Sequence, residues 1–147
     1  LPKLAFIHGI LHPKREPHAG LQIIATGAMV HQALRVAEEL EKQRKIKVGV
    51  IDLFRLKPFN KEKFLEAIRG SWVVTLEEDF LPGGMGSMIA EFFADERIFI
   101  PLFRIGQSEQ FIFDLGGREE IWKKSGLDVQ SIVEKILAWT NRSSNRD

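Results

Sequence analysis

The chemistry on offer is most concentrated in Gly83-Gly84-Met85-Gly86-Ser87. Glycines ahead of a helix let backbone amides approach an anion, and the amino end of a helix is electropositive, so such a turn suits a phosphate or a carboxylate. No Lys-Ser/Thr pair follows, which excludes a Walker-type loop, and the spacing lacks the G-x-G-x-x-G dinucleotide fingerprint. The plainer reading of the same glycines is a turn with close helix packing. Just upstream, Glu77 and Glu78 end an apolar run. Paired carboxylates at a strand end can do acid-base work when burial separates their pKa values. Adjacent strand residues face opposite sides, however, which favours one glutamate capping or bridging a loop while the other is solvated.

The remaining candidates are thinner. His8 and His12 are four apart, but beside Pro13 and Pro17 rather than on a helix, which argues against a histidine-built zinc site. His18 falls in the same polar stretch, and His31 in the first turn of a predicted helix, where a contact at a domain boundary is possible. There is no cysteine, so disulfides and thiolate metal sites are excluded. No G-x-S-x-G elbow or Ser/His/Asp arrangement supports nucleophilic hydrolysis.

The elements that would position these residues alternate along the chain. Leu4 to Ile7 reads as a first strand, followed by a long loop over 11–20 that carries Pro13, Pro17 and Gly20. That strand is expected outside the crossover pattern, with an antiparallel direction open to it. Leu21 to Thr26 reads as a buried strand left through Gly27, and Val30, Ala33, Leu34, Ala37 and Leu40 form one stripe of a helix. Lys47 to Asp52 is a second core strand. Asn60 then reads as an N-cap, with Phe59 placed to staple against Phe64. Trp72 to Glu77 is a third core strand, and a half-buried helix over Met88 to Ala94 follows the glycine turn. A further strand is expected after Pro101, then helices over Arg118 to Ser125 and from Asp128 to about Thr140. Asn141 to Asp147 is polar and expected to fray. The alternation predicts a three-layer α/β/α sandwich around a mostly parallel sheet. The chain divides as 1–20, linker and first strand; 21–140, the α/β domain; and 141–147, the tail.

Composition narrows the function classes. Lysine and arginine total 21 against 20 aspartates and glutamates, so no long-range field toward nucleic acid arises. No apolar run approaches the ~18 residues of a membrane span. Nothing points to secretion, and a cytoplasmic location is expected. The opening Leu1-Pro2-Lys3 is expected to reflect a processed terminus or a piece of something longer. The phenylalanines are too numerous to be all interior in one small domain, and Asp79-Phe80-Leu81-Pro82 and Gln110-Phe111-Ile112-Phe113 are the loops expected to face a partner.

In their order, these segments resemble a known family. Ile23 to Val30, Val50 to Leu53 with Leu56-Lys57-Pro58-Phe59, Val73 to Glu78, Gly83 to Ser87 and the late Gly126-Leu127-Asp128 are similar to the carboxy-terminal domain of transketolases, deoxyxylulose-phosphate synthases and 2-oxoacid dehydrogenase β chains. The resemblance implies a five-stranded mixed sheet with one antiparallel strand. It also implies that thiamine diphosphate and magnesium bind elsewhere in the full enzyme, through a Gly-Asp-Gly motif that this sequence lacks. No catalytic, cofactor or metal residue carries over to this chain. The matching Gly27, Asp52, Pro58, Glu77, Gly83, Gly84 and Gly86 are implied to be structural or interface-forming, with Phe80 and Phe111 as contact candidates. The function implied is an accessory and assembly domain, inactive by itself. Its partners are then the other domains or subunits of a homodimeric transferase, without nucleic acid or membrane. The alternatives are a small-ligand sensor lined by Thr26, Gly27, Gly84, Gly86 and Ser87, or a docking module presenting Phe80 and Phe111.

Overall fold

The computed structural model describes residues 5–7, 10–12, 20–109 and 116–144. In chain order its elements are β1 (Ala5–Ile7), β2 (Ile10–His12), β3 (Leu21–Ala25), α1 (Met29–Arg44), β4 (Val48–Asp52), α2 (Lys61–Ile68), β5 (Trp72–Phe80), α3 (Met85–Asp95), β6 (Leu102–Gln107), α4 (Arg118–Lys124) and α5 (Val129–Ser144). One sheet takes the order β1-β2-β4-β3-β5-β6. β4, β3, β5 and β6 run parallel to one another, while β2 pairs antiparallel with both β1 and β4.

Strands buried on both faces read as continuous apolar runs, and every residue of β3 is buried. Alternate side chains divide between two cores. Ile23, Val50 and Val74 meet α1 and α5, through Ala33, Val36, Leu40, Ile132 and Ile136. Ile24, Ile51 and Val73 meet α2 and α3, through Phe64, Ile68, Ile89 and Phe93. The result is an α/β fold of three layers, as the alternation predicts. Among the described residues no helix is long and apolar enough to cross a membrane.

Three expectations change. Among the described residues the sheet has six strands rather than five, because Ile10–His12, within and just before the predicted loop, forms the inner strand of an edge hairpin. Second, α3 starts at Met85, a turn earlier than Met88, for a reason that lies in the site described below. Third, α5 continues to Ser144, past the predicted end near Thr140; Arg142 in its last turn complements the helix dipole there.

The entry to α2 forms as its sequence indicates. Asn60 Oδ1 accepts from the Lys63 amide at 3.0 Å, and the Phe59 ring lies 5.1 Å from that of Phe64. Phe64 is fully buried and also faces Phe92 and Phe93 at 6.2 and 6.4 Å. Phe64→Ala therefore opens a cavity between sheet and helices; a loss of about 3–5 kcal/mol in chemical denaturation is expected.

Candidate functional site: an internal carboxylate on the glycine turn

β5 runs into the site with Thr75, Leu76 and Glu77 all fully buried. Thr75 and Glu77 point to the α3 side and Leu76 to the opposite core, as strand alternation requires. The first amides of a helix have no intrahelical acceptor, and Gly84 at the cap position has no side chain to supply one. Glu77 supplies it from the strand. Its Oε2 accepts from the Met85 amide at 2.6 Å and its Oε1 from the Gly86 amide at 3.0 Å. The anion on the glycine turn is thus the chain's own glutamate, and the helix starts where that carboxylate reaches it.

The glycines are explained by the space this arrangement leaves. A Cβ at Gly86 would stand 2.6 Å from Thr75 Oγ1 and 2.8 Å from Glu77 Oε1, and one at Gly84 would stand 2.7 Å from the Phe80 carbonyl oxygen. Gly83 has φ +78 and turns the chain into the helix. Between Leu76 and Phe80 the β5–β6 register shifts, an irregularity that re-aims the strand at Glu77.

Arg104 on β6, in register with Thr75, closes the turn. Its Nη2 donates to the Leu81 carbonyl and, at 2.8 Å, to Ser87 Oγ. Ser87 Oγ in turn donates to the Leu81 carbonyl at 2.7 Å and accepts from the Gly83 amide at 3.0 Å. Burial pushes the Glu77 carboxyl above its ordinary range, with Asp79 adding to the rise; the Gly86 and Met85 amides and the Arg104 charge pull against it. Thr75 Oγ1 and Arg104 Nε are buried without a hydrogen-bond partner among the described residues.

Glu78 faces the other way. Its Oε1 accepts from Trp122 Nε1 at 2.8 Å and pairs with Arg118 Nε at 3.2 Å, both on α4. The two glutamates do not meet, so they form no acid-base pair; one caps and the other bridges. Thr26 and Gly27 leave β3 beside this turn, because Ala25 lies opposite Leu76, and Gly27 takes φ +58. Asp52 ends β4 opposite Ala25. Its Oδ1 is buried without a partner among the described residues, and burial pushes its carboxyl up, opposed by His31. Pro58 is exposed and follows a cis peptide bond. Phe80 is 43% and Phe54 48% exposed, at the carboxyl ends of β5 and β4. Phe111, Phe113, His8 and His18 lie outside the described residues.

Sequence reasoning missed Arg104 and Trp122. The signal for Arg104 was present, a lone cation at an inward position of the otherwise apolar Leu102-Phe103-Arg104-Ile105. Trp122 lies on the helix expected over Arg118 to Ser125, where its indole was not singled out. Among the described residues no group of three or more His, Cys, Asp or Glu side chains is disposed to hold a metal.

The chain matches known proteins over most of its length. Residues 12–132 match the family described as transketolase, C-terminal domain. A 1-deoxy-D-xylulose-5-phosphate synthase of Caldanaerobacter subterraneus subsp. tengcongensis is 37% identical over 118 residues, 80% of this chain and 19% of that protein. The synthase of Thermomicrobium roseum is 36% identical over 118 residues, again 80% of this chain and 18% of that protein. The chain thus spans about a fifth of the length of the curated relatives it matches. Among solved structures, a split-gene transketolase described as an inactive β4 tetramer superposes with a TM-score of 0.76 at 30% identity, covering 94% of this chain and 44% of that one. The Campylobacter jejuni transketolase shares the fold, with a TM-score of 0.65 at 20% identity over 94% of this chain and 20% of that one.

Glu77→Gln keeps the shape of the side chain and fixes it in a neutral form. The folded carboxyl lies above the ordinary glutamate value of 4.5, so at about pH 4 it is protonated, carries its own O–H, and parent and variant should differ by no more than about 1 kcal/mol in urea unfolding. The favourable linkage of the parent carboxyl is full below the ordinary value and is lost as pH rises through the folded one. The parent should therefore lose stability relative to the variant toward neutrality; a parent that gains on it would mean that the amides and Arg104 outweigh burial.

Proposed function

The chain belongs to the transketolase carboxy-terminal domain family, and from that membership we propose that it is an accessory and assembly domain of a thiamine-diphosphate-dependent enzyme. In the full cytoplasmic protein the activity is transfer of two-carbon ketol or acyl units between a donor and an acceptor. The two curated relatives cited above, both deoxyxylulose-phosphate synthases, and the split-gene transketolase among the structures support that class of chemistry.

The observation that carries the accessory role is the seat of Glu77. The turn that most resembles a diphosphate cradle already gives its Met85 and Gly86 amides to a buried carboxylate. A diphosphate there would compete with that carboxylate for the same donors and be repelled by its charge. The residues present thus do not fit thiamine diphosphate, and no step of the reaction is assigned to them. The same occupancy weighs against the sensor reading, whose ligand would need Gly84, Gly86 and Ser87.

Assembly with other modules of the same enzyme is the remaining role. Phe54 and Phe80, exposed at the carboxyl ends of two strands that flank β3, are the proposed contact residues on the described surface. Homo-oligomerisation of the full protein belongs to the same proposal, supported by the tetramer of the split-gene relative.

Two measurements test this reading. Titration of the chain with thiamine diphosphate and magnesium in a calorimeter should give no saturable heat, and tight stoichiometric binding would overturn it. An antibody to the chain, applied to an extract of the source cells, should mark either a polypeptide well above 16.8 kDa or a 16.8 kDa species that copurifies with thiamine-diphosphate-binding subunits. A species of that mass that purifies alone would overturn the assembly role.

A further inference from the structure

On the layer opposite the Glu77 turn, a cavity of about 270 Å³ lies between α1, α4 and the start of α5, open to solvent. At the ~30 Å³ that one water occupies in the liquid, it has room for roughly nine waters, which suits one small organic molecule rather than a nucleotide.

Its polar groups differ in what they are already committed to. Gln32 is 5% exposed, and its Nε2 donates to the Leu127 carbonyl at 3.2 Å. That bond orients the amide and leaves Oε1 as an acceptor without a partner among the described residues, on the buried side of the cavity. Asp128 accepts from the Ser131 amide at 3.2 Å and from the Ser131 hydroxyl at 2.6 Å. A carboxylate has about four acceptor sites, so half of its capacity remains.

Arg35, Glu119 and Lys123 are exposed, and among the described residues none of them makes a side-chain hydrogen bond or ion pair. Glu119 and Lys123 stand four apart on α4, in the order that lets a glutamate and a lysine offset each other along a helix. Arg35 enters the lining from α1, three residues beyond Gln32 and so on the same face of that helix. The groups left over are one guanidinium, part of one carboxylate and one amide oxygen, beside apolar surface from Trp122 and Val129. Two cations and two carboxylates line the cavity, so an ion of one sign gains little there. A molecule that carries both charges gains at both ends.

We propose that this cavity binds a free amino acid as its zwitterion. The ammonium donates to Gln32 Oε1 and Asp128, the carboxylate accepts from the Arg35 guanidinium, and an apolar side chain lies against Trp122 and Val129. The site uses no residue of the Glu77 turn and stands apart from the assembly role, so its failure would leave that reading untouched.

An NMR titration of the 147-residue chain, read at the backbone amides, tests the site. L-leucine should give saturable shifts at Gln32, Arg35, Trp122 and Asp128, with a Kd of about 1 mM for a ligand of this size. Leucinamide lacks the carboxylate and N-acetyl-L-leucine lacks the ammonium; each should bind at least about tenfold more weakly. Arg35→Gln and Asp128→Asn should each weaken L-leucine by about tenfold. Both should unfold at the parent's urea midpoint, because Arg35 is exposed and asparagine caps a helix as aspartate does. Absence of saturable shifts with L-leucine would overturn the proposal. So would equal binding of all three compounds, or variants that bind L-leucine as the parent does.

Discussion

A buried carboxylate facing two helix amides is the interaction on which the active-looking half of this molecule depends. Glu77 brings a negative charge to the end of a run in which Thr75 and Leu76 are also fully buried, and an unpaired charge there would be strongly destabilising. Its position is tolerable only because three compensations converge: two amides with the positive end of α3 behind them, and the Arg104 guanidinium nearby. Each compensation dictates something about the sequence. The amides must come close, so Gly84 and Gly86 carry no Cβ; the strand must bend, so its register with β6 slips; and Arg104 must stand between Phe103 and Ile105 on β6.

The balance is incomplete, because burial still pushes the carboxyl upward despite those partners. A site optimised for stability alone would place a hydrophobic residue and a local cap there, since apolar replacements of buried charges are often neutral or better. What the carboxylate adds is direction. It fixes where α3 begins and how its first turn stands against β5 and β6, which a local cap on a glycine-rich turn could not do. Phe80 lies three residues beyond Glu77 on the same strand, so the exposed end of β5 starts from this fixed point.

The parts of this structure that were legible in the sequence are those where one physical signal acts alone. β3 and β4 are largely buried on both faces and apolar but for Gln22 and Asp52, and Phe59, Asn60 and Phe64 spell a helix entry within six residues. Of the edge hairpin only the first strand, Ala5–Ile7, was legible; the second was not, because a three-residue strand carries no measurable periodicity and the partner of Leu11 is Asp52, far along the chain. The start of α3 was misplaced for the same reason in another form. Its cap comes from eight residues upstream on a strand, whereas sequence rules look for caps beside the helix. The glycine turn reads either as a seat for an anion or as a turn with close helix packing, and nothing in local sequence distinguishes a seat for a ligand from one for a side chain of the same chain.

Glu77 and Glu78 are adjacent, yet strand alternation sends them to opposite layers, and the contrast in their surroundings separates their roles. Glu77 is inaccessible to solvent and tied to backbone, so its bonds are sheltered from competing water and persist as long as the fold does. The Glu78 side chain is 34% exposed and its Arg118 partner 64%, so its hold is screened and weaker by the usual measure of surface pairs. One strand end thereby carries a permanent fastening on one face of the sheet and a yielding one on the other. That difference follows from burial alone, and it falls between two residues adjacent in the chain.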